Sequence, residues 1–174
     1  MNYGFMKVAT GVPVAKVADC AFNVQQIETI IAQAEGKGTE IICFPELCIT
    51  GYTCQDLFSQ QLLLDEAETA LLKLLDFTRS LDIISIVGLP VPVGGLLLNC
   101  AAVIHKGSLL GLVAKTYLPN YKEFYEKRWF TSAKDISSVD VRIAGQTVHL
   151  SSGTTLFRTG DGALFGVEIC EDVW

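Results

Sequence analysis

The sequence is short of several things that would have pointed to common protein classes. It has no cluster of basic residues longer than the pair Lys127-Arg128, and its 13 Lys+Arg against 19 Asp+Glu leave a net charge of −6. Nucleic acid and anionic membranes are therefore poor partners for it. It has only two histidines, His105 and His149, and none of its six cysteines stands in C-x-x-C spacing, so no zinc site or other metal site is expected. The first ten residues lack a basic start followed by an apolar run and a small-residue cleavage site, so no secretory signal is read there. Repeats, low-complexity tracts, linkers and a Gly-rich phosphate loop are likewise missing.

What is present is apolar material. The 174 residues suit one domain, and 50% of them are hydrophobic against 18% charged, which supplies a core and excludes disorder. The mean hydropathy of +0.39 raises the question of a membrane span, because Ile83 to Ile104 carries no charge over 22 residues. Pro90, Pro92, Gly94-Gly95 and Asn99 interrupt that run where a spanning helix needs continuous hydrogen bonding, and it reads as strand, turn, strand. Cysteines 20, 43, 48, 54, 100 and 170 read as reduced thiols of a cytoplasmic protein, since several lie inside apolar runs and a chain of this size needs no covalent staples.

Periodicity orders the elements. A first strand is expected around Lys7 to Ala9. Val24, Ile27, Ile30, Ile31 and Ala34 recur at helical spacing after Asp19, with Gly36-Lys37-Gly38 as the stop, and Glu40 to Phe44 is a short buried strand closed by Pro45. Strand, helix, strand makes a right-handed crossover. Leu62 to Leu81 predicts a second amphipathic helix, Ile83 to Val87 another strand, and Asn99 to Ile104 with Leu109 to Ala114 a β-hairpin about His105-Lys106-Gly107-Ser108. Asn120 to Phe130, aromatic and charged at once, suits a loop or short helix lining a cleft. Val139 to Leu150 and Thr154 to Ile169 predict further strands, the last of them Leu164 to Ile169. The class is a layered α/β fold.

Three polar residues each end a separate predicted strand: Glu46 after Glu40 to Phe44, Lys115 after Leu109 to Ala114, and Cys170 after Leu164 to Ile169. Taken singly, each has a plainer reading as a solvated carboxylate, a strand's exit to solvent, or a half-buried thiol packing as a small hydrophobe. Taken together, strand ends of this kind can converge on one rim. A carboxylate, an ammonium and a thiol there would supply the proton acceptor, oxyanion stabiliser and nucleophile of acyl transfer. The acidic neighbours Glu168, Glu171 and Asp172 would raise the thiol's pKa, so a nucleophilic Cys170 requires a nearby cation or base.

Three blocks carry a family resemblance: FPELCITGY (residues 44–52), VAKTYLPNYKEFYEKRWF (113–130) and VEICEDVW (167–174). They resemble the base, lysine and nucleophile segments of the nitrilase-like carbon–nitrogen hydrolases. The resemblance implies Glu46 as general base, Lys115 as the cation facing the tetrahedral intermediate and Cys170 as nucleophile. It also implies an α-β-β-α sandwich. The PNYxEFYExR pattern of the middle block is more particular, and looks like the glutaminase domain of glutamine-dependent NAD synthetases. That likeness implies Glu126 as a second catalytic glutamate beside the lysine, and Tyr52, Tyr121 and Glu171 as the lining of a glutamine pocket. It further implies glutamine as substrate and a synthetase domain as the partner that takes the ammonia.

With only four residues after Cys170, residues 1–174 are expected to be the N-terminal portion of the hydrolase domain, truncated after the nucleophile strand and inactive or impaired alone. No cofactor is expected in this chain, since ATP and magnesium would bind in the absent synthetase domain. Bare strand edges would favour a homo-oligomer. Two other readings stay open: a stand-alone amidase of the superfamily, and a non-catalytic module that keeps the fold for assembly.

Overall fold

A computed structural model describes residues 4–151 and 153–173. Strand β1 (Val8–Thr10) leads through a loop to helix α1 (Cys20–Glu35), whose first turn is capped by the Asp19 carboxylate accepting the Phe22 N–H. Strand β2 (Ile41–Cys43) follows, then α2 (Gln61–Phe77), β3 (Ile84–Val93), β4 (Leu96–His105) and β5 (Ser108–Ala114). Two hairpins complete the chain, β6 (Val139–Ile143) with β7 (Gln146–Leu150), and β8 (Leu156–Arg158) with β9 (Leu164–Gly166).

The first seven strands form one sheet in the order β1-β2-β3-β4-β5-β7-β6, while β8 and β9 pair only with each other. Strands β1, β2 and β3 run parallel; β4 is antiparallel to both β3 and β5. Consequently β2 and β5 point the same way, and their C-terminal ends open on the same edge of the sheet. The turn between β4 and β5 is Lys106-Gly107, both at positive φ (49° and 76°), the geometry that matches hairpin twist.

Both helices bury one stripe in the larger core. Val24, Ile27, Ile31 and Ala34 of α1 and Ala67, Leu71, Leu74 and Leu75 of α2 pack with Ile42, Val87, Ala102 and Ile104 of the sheet. On the opposite face of the sheet, Ile41, Ile86, Ala101 and Val103 pack with Phe157 and Ile169, which brings the β8–β9 hairpin over that side. Helices, a seven-stranded sheet and a second small sheet are three successive layers of an α-β-β-α sandwich, and among the described residues no helix covers the outer side of the second sheet.

Three expectations need revision. The second helix stops at Phe77 instead of Leu81, because the Thr78 hydroxyl turns back to donate to the carbonyls of Leu74 and Leu75 and a 3-10 turn, Thr78–Ser80, takes over. Strand β3 runs on past Val87 through Pro90 and Pro92. These residues share the parity of Gly88, whose N–H and carbonyl face away from β4, toward the side where β2 has already ended. Proline there removes no ladder bond. Finally, β9 ends at Gly166, because its partner β8 begins only at Leu156, opposite Gly166. Val167 and Ile169 are apolar because they pack in the core beneath the second sheet, while their backbone belongs to no strand.

Candidate active site

Where β2 ends, the chain makes the tight turn that carries Glu46. Leu47, the residue after it, is fully buried at φ 52°, a conformation that costs an L-residue of this size of order 1 kcal/mol or more unless its surroundings hold it. The surroundings do so through β3. The Ile49 N–H donates to the Gly88 carbonyl at 3.1 Å, and the Gly88 N–H donates to the Cys48 sulfur at 3.3 Å. From α1, the buried Asn23 amide donates to the Ile49 carbonyl and ties the same turn to the helix layer. Gly88 is required there by close approach, since a Cβ would stand 2.3 Å from the Leu47 nitrogen. Cys48, without an expected role, is thus part of the turn's hydrogen bonding.

Lys115 lies one residue beyond β5, fully buried. Its ammonium donates at 2.7 Å to Glu46 Oε1 and at 2.7 Å to Glu126 Oε1. Glu126 is brought in by the 3-10 turn Glu126–Arg128, is itself buried, and accepts the Tyr52 hydroxyl at 2.7 Å. A fifth member reads in the sequence only as an interruption of an apolar run. Asn99 of β4 donates its side-chain N–H to Glu46 Oε1 at 2.5 Å, and its backbone carbonyl accepts the Lys115 N–H. The signal for it was available, because a buried amide in an otherwise apolar strand must find a hydrogen-bond partner. The result is one connected chain: Asn99, Glu46, Lys115, Glu126, Tyr52.

The electrostatics follow from this packing. Burial works against the Lys115 ammonium, but its bonds to Glu126 and Glu46 outweigh burial and hold its pKa above the usual lysine value. Burial pushes the Glu126 carboxyl up, opposed by its bonds to Lys115 and Tyr52. Burial and the Glu126 carboxylate likewise hold the Tyr52 phenol above its usual range. The space between two carboxylates that could suggest a metal site is filled by the lysine, and among the described residues no group of three or more His, Cys, Asp or Glu is disposed to hold a metal ion.

Cys170 comes from the other layer. It opens the 3-10 turn Cys170–Val173 with φ 51°, so its thiol is presented at a sharp, strained bend. It lines a cavity of about 210 Å³ together with Glu46, Cys43, Phe44, Gly88 and Ile169. Desolvation raises its pKa; Lys115 pulls it down, while Glu46 and Glu126 push it up. The charges acting on it are therefore those of the buried chain across the cavity more than the acidic neighbours expected from sequence. Burial pushes the Cys20 and Cys48 thiols up to about 12, which marks them as inert packing groups.

A second residue that sequence reasoning assigned no positioning role is Asp172. Its Oδ1 accepts the N–H groups of Thr116 and Tyr117, at 3.0 and 2.8 Å, and its Oδ2 accepts that of Ile169. One carboxylate thus fastens the Cys170 turn to the segment that follows Lys115. Tyr121 and Glu171 stand apart from the buried chain. They hydrogen-bond each other, and Glu171 lines a separate cavity of about 520 Å³ with Thr116, Leu118, Lys127, Phe130 and Ser132.

A layered α/β fold whose larger sheet carries a buried carboxylate–lysine–carboxylate chain, with a cysteine of the second layer lining the same cavity as Glu46, defines a class. The chain belongs to the carbon–nitrogen hydrolases, a family of enzymes, whose model matches residues 7–174. Its relatives include the glutamine-dependent NAD(+) synthetase of Mycobacterium tuberculosis, 36% identical over an alignment of 175 positions that covers 99% of this chain and 26% of that protein. That of Aquifex aeolicus is 35% identical over 158 residues, 91% of this chain and 24% of that protein. The crystal structure of a glutamine-dependent NAD(+) synthetase from Cytophaga hutchinsonii superposes with a TM-score of 0.87 at 30% identity, covering 96% of this chain and 28% of that one. An amidase from Nesterenkonia sp. shares the fold at 23% identity, with a TM-score of 0.64 over 84% of this chain and 54% of its own. The chain thus spans about a quarter of the length of the curated relatives it matches. Among the described residues no helix is long and apolar enough to cross a membrane.

Proposed function

We propose that, as part of a longer protein, this chain supplies the Glu46, Lys115 and Cys170 of a site that hydrolyses the side-chain amide of glutamine, and that the ammonia passes to an ATP-dependent synthetase domain that amidates nicotinic acid adenine dinucleotide to NAD. The observation that carries the proposal is the Lys115 ammonium, buried between Glu46 and Glu126, with Glu46 itself lining the cavity that Cys170 opens onto.

In this reading Glu46 takes the proton of Cys170 and the thiolate attacks the amide carbon. The oxygen that gains charge is stabilised by the Lys115 ammonium, which cannot drift because two carboxylates hold it. Collapse of the intermediate breaks the carbon–nitrogen bond, and ammonia leaves with the proton that Glu46 had accepted. Water, deprotonated by the same glutamate, then attacks the thioester and releases glutamate, and the proton returns to the thiol. A raised thiol pKa fits a nucleophile that is activated by a base only when substrate is present. Tyr52 and Glu126 hold the lysine side of the site, while Tyr121 and Glu171, bonded to each other outside the cavity of Cys170, are assigned to the amino-acid end of the substrate by family resemblance alone. ATP and its magnesium belong to the synthetase domain. Six free cysteines, four of them buried, suit the reducing cytoplasm.

The test is labelling with the glutamine analogue 6-diazo-5-oxo-norleucine, with the modified residue located by mass spectrometry. Selective modification of Cys170 is expected, with loss in Glu46→Ala and Lys115→Ala variants shown by circular dichroism to be folded. A folded chain that takes up no analogue, and whose Cys170 reacts with iodoacetamide no faster than Cys20 or Cys100, would refute the proposal in favour of a non-catalytic module.

A further inference from the structure

Glu46 Oε1 accepts two donors at once, the Lys115 ammonium and the Asn99 amide. A carboxylate oxygen has two lone-pair sites, so these bonds occupy Oε1 and leave Oε2 as the atom with room for a third partner. The amide makes this contact at a cost. Asn99 is 1% exposed, and its own Oδ1 is buried without a hydrogen-bond partner, a situation that native interiors avoid. Turning the amide over would set Oδ1 against the carboxylate, acceptor to acceptor, so the orphaned oxygen is the consequence of giving the N–H to Glu46. Asn99 shares the face of β4 that carries Ala101, a residue of the cavity lining on the Cys170 side, and its carbonyl simultaneously holds the Lys115 backbone.

We propose that Asn99 is a positioning residue for the general base: by pinning Oε1 it fixes the carboxylate plane and makes Glu46 Oε2 the oxygen that accepts the Cys170 proton. This rests on the reading of Cys170 as nucleophile and Glu46 as base. The proton passes from Sγ to Oε2, no other bond changes in that step, and the thiolate it leaves is the attacking species. Asparagine suits the position because its donor is neutral. A cation there would compete with Lys115, and a carboxylate would repel Glu46. The titratable and charged groups that face Glu46 are Lys115 beyond β5, Glu126 in its 3-10 turn, Tyr52 on the chain following Glu46, Cys43 at the end of β2, and Glu168 and Cys170 in the nucleophile segment.

The experiment measures acylation of Cys170 in this chain by p-nitrophenyl acetate, a small acyl donor that needs no glutamine pocket, in wild type, Asn99→Leu, Glu46→Gln and the double variant. Asn99→Leu is expected to slow acylation roughly ten-fold, a fraction of the roughly 10²–10⁴-fold that a positioned base contributes, and the double variant to be no slower than Glu46→Gln alone. If Asn99→Leu leaves the rate unchanged, or slows the Glu46→Gln chain as much as the wild type, Asn99 does not act through Glu46 and the inference is overturned. Asn99→Asp provides a near-isosteric second variant should the leucine chain not fold. Its new carboxylate is expected to move the acid limb of the rate–pH profile upward by about one unit, and an unmoved limb overturns the inference. A wild-type chain acylated by the ester but unlabelled by the glutamine analogue removes the glutamine reading and leaves Asn99 tested. A wild type with Cys170 unacylated overturns both.

Discussion

The two halves of the site are built in opposite ways. Glu46 and Lys115 hang from the seven-stranded sheet, Glu126 is brought to them by its 3-10 turn, and every link between them is a hydrogen bond in a buried or half-buried place. Cys170 hangs from a hairpin whose strands are three residues each, in a turn with no buried residue, and is tied to the other half chiefly by the carboxylate of Asp172. Charge that must be precisely placed but need not move sits where burial removes its freedom. In the proposed mechanism, the atom that forms and breaks a covalent bond sits where the surrounding structure opens most easily. Damage to the first half should therefore register in stability as well as reactivity, and damage to the second in reactivity first.

The largest effect should come from Lys115→Met. It removes one ammonium from between two carboxylates and leaves both in an apolar place, and breaking a buried pair by deleting one partner costs about 3–5 kcal/mol. Denaturant unfolding of the variant should show a loss of that order, together with loss of labelling by the glutamine analogue. A Lys115→Met chain as stable as the wild type would show that the carboxylates reach water or protons easily, and the contrast between a locked half and an open half would disappear.

Asp172→Asn should separate the halves. The amide oxygen can still accept the N–H groups of Thr116 and Tyr117, but the charge is gone and its NH₂ group meets the Ile169 N–H, donor against donor, where the second carboxylate oxygen accepted it. Replacing such an acceptor costs about 1–3 kcal/mol when the donors are buried, and less here because Tyr117 is exposed. The expected signature is a small loss in denaturant midpoint alongside a loss of analogue labelling larger than the stability change explains. Equal losses in both would mean that the nucleophile turn and the sheet open as one unit.

The same contrast governs what could be read from sequence. Helix α1 was legible because Val24, Ile27, Ile31 and Ala34 fall on one face behind a capping Asp19, and the β4–β5 hairpin because Lys106-Gly107 has turn chemistry. These are local facts. The convergence of Glu46 and Lys115 was expected from strand ends, and the parallel course of β2 and β5 is what accomplishes it. Strand β9 is shorter than its apolar pattern predicts because Val167 and Ile169 are apolar for packing reasons that a strand pattern imitates, and the continuation of β3 through two prolines depends on where a neighbouring strand stops. Asn99 and Asp172 were visible as residues while their roles were not, because hydrogen bonds spanning 53 and 56 positions of sequence leave no periodic trace. Glu126 was picked out only through resemblance to a motif, since a glutamate beside Lys127 and Arg128 has the look of a surface charge.

The smallest expected effect, and the most specific, concerns the field across the cavity. Lys115 favours the Cys170 thiolate while Glu46 and Glu126 oppose it. Glu126→Gln removes one opposing charge and keeps a side chain of the same shape, so the thiolate becomes easier to form and the midpoint of iodoacetamide alkylation against pH should move down. Lys115→Met removes the favourable charge, and in the fraction of that chain still folded the midpoint should move up. The thiol gains a negative charge on titration, so a midpoint that falls in the lysine variant, or rises in the glutamine variant, would reverse the sign required by the geometry. Two midpoints that both stay at the wild-type value would mean that solvent screens the exposed thiol completely from the buried chain. The two halves would then communicate only through substrate, and the base would have to find the thiol after the amide is bound.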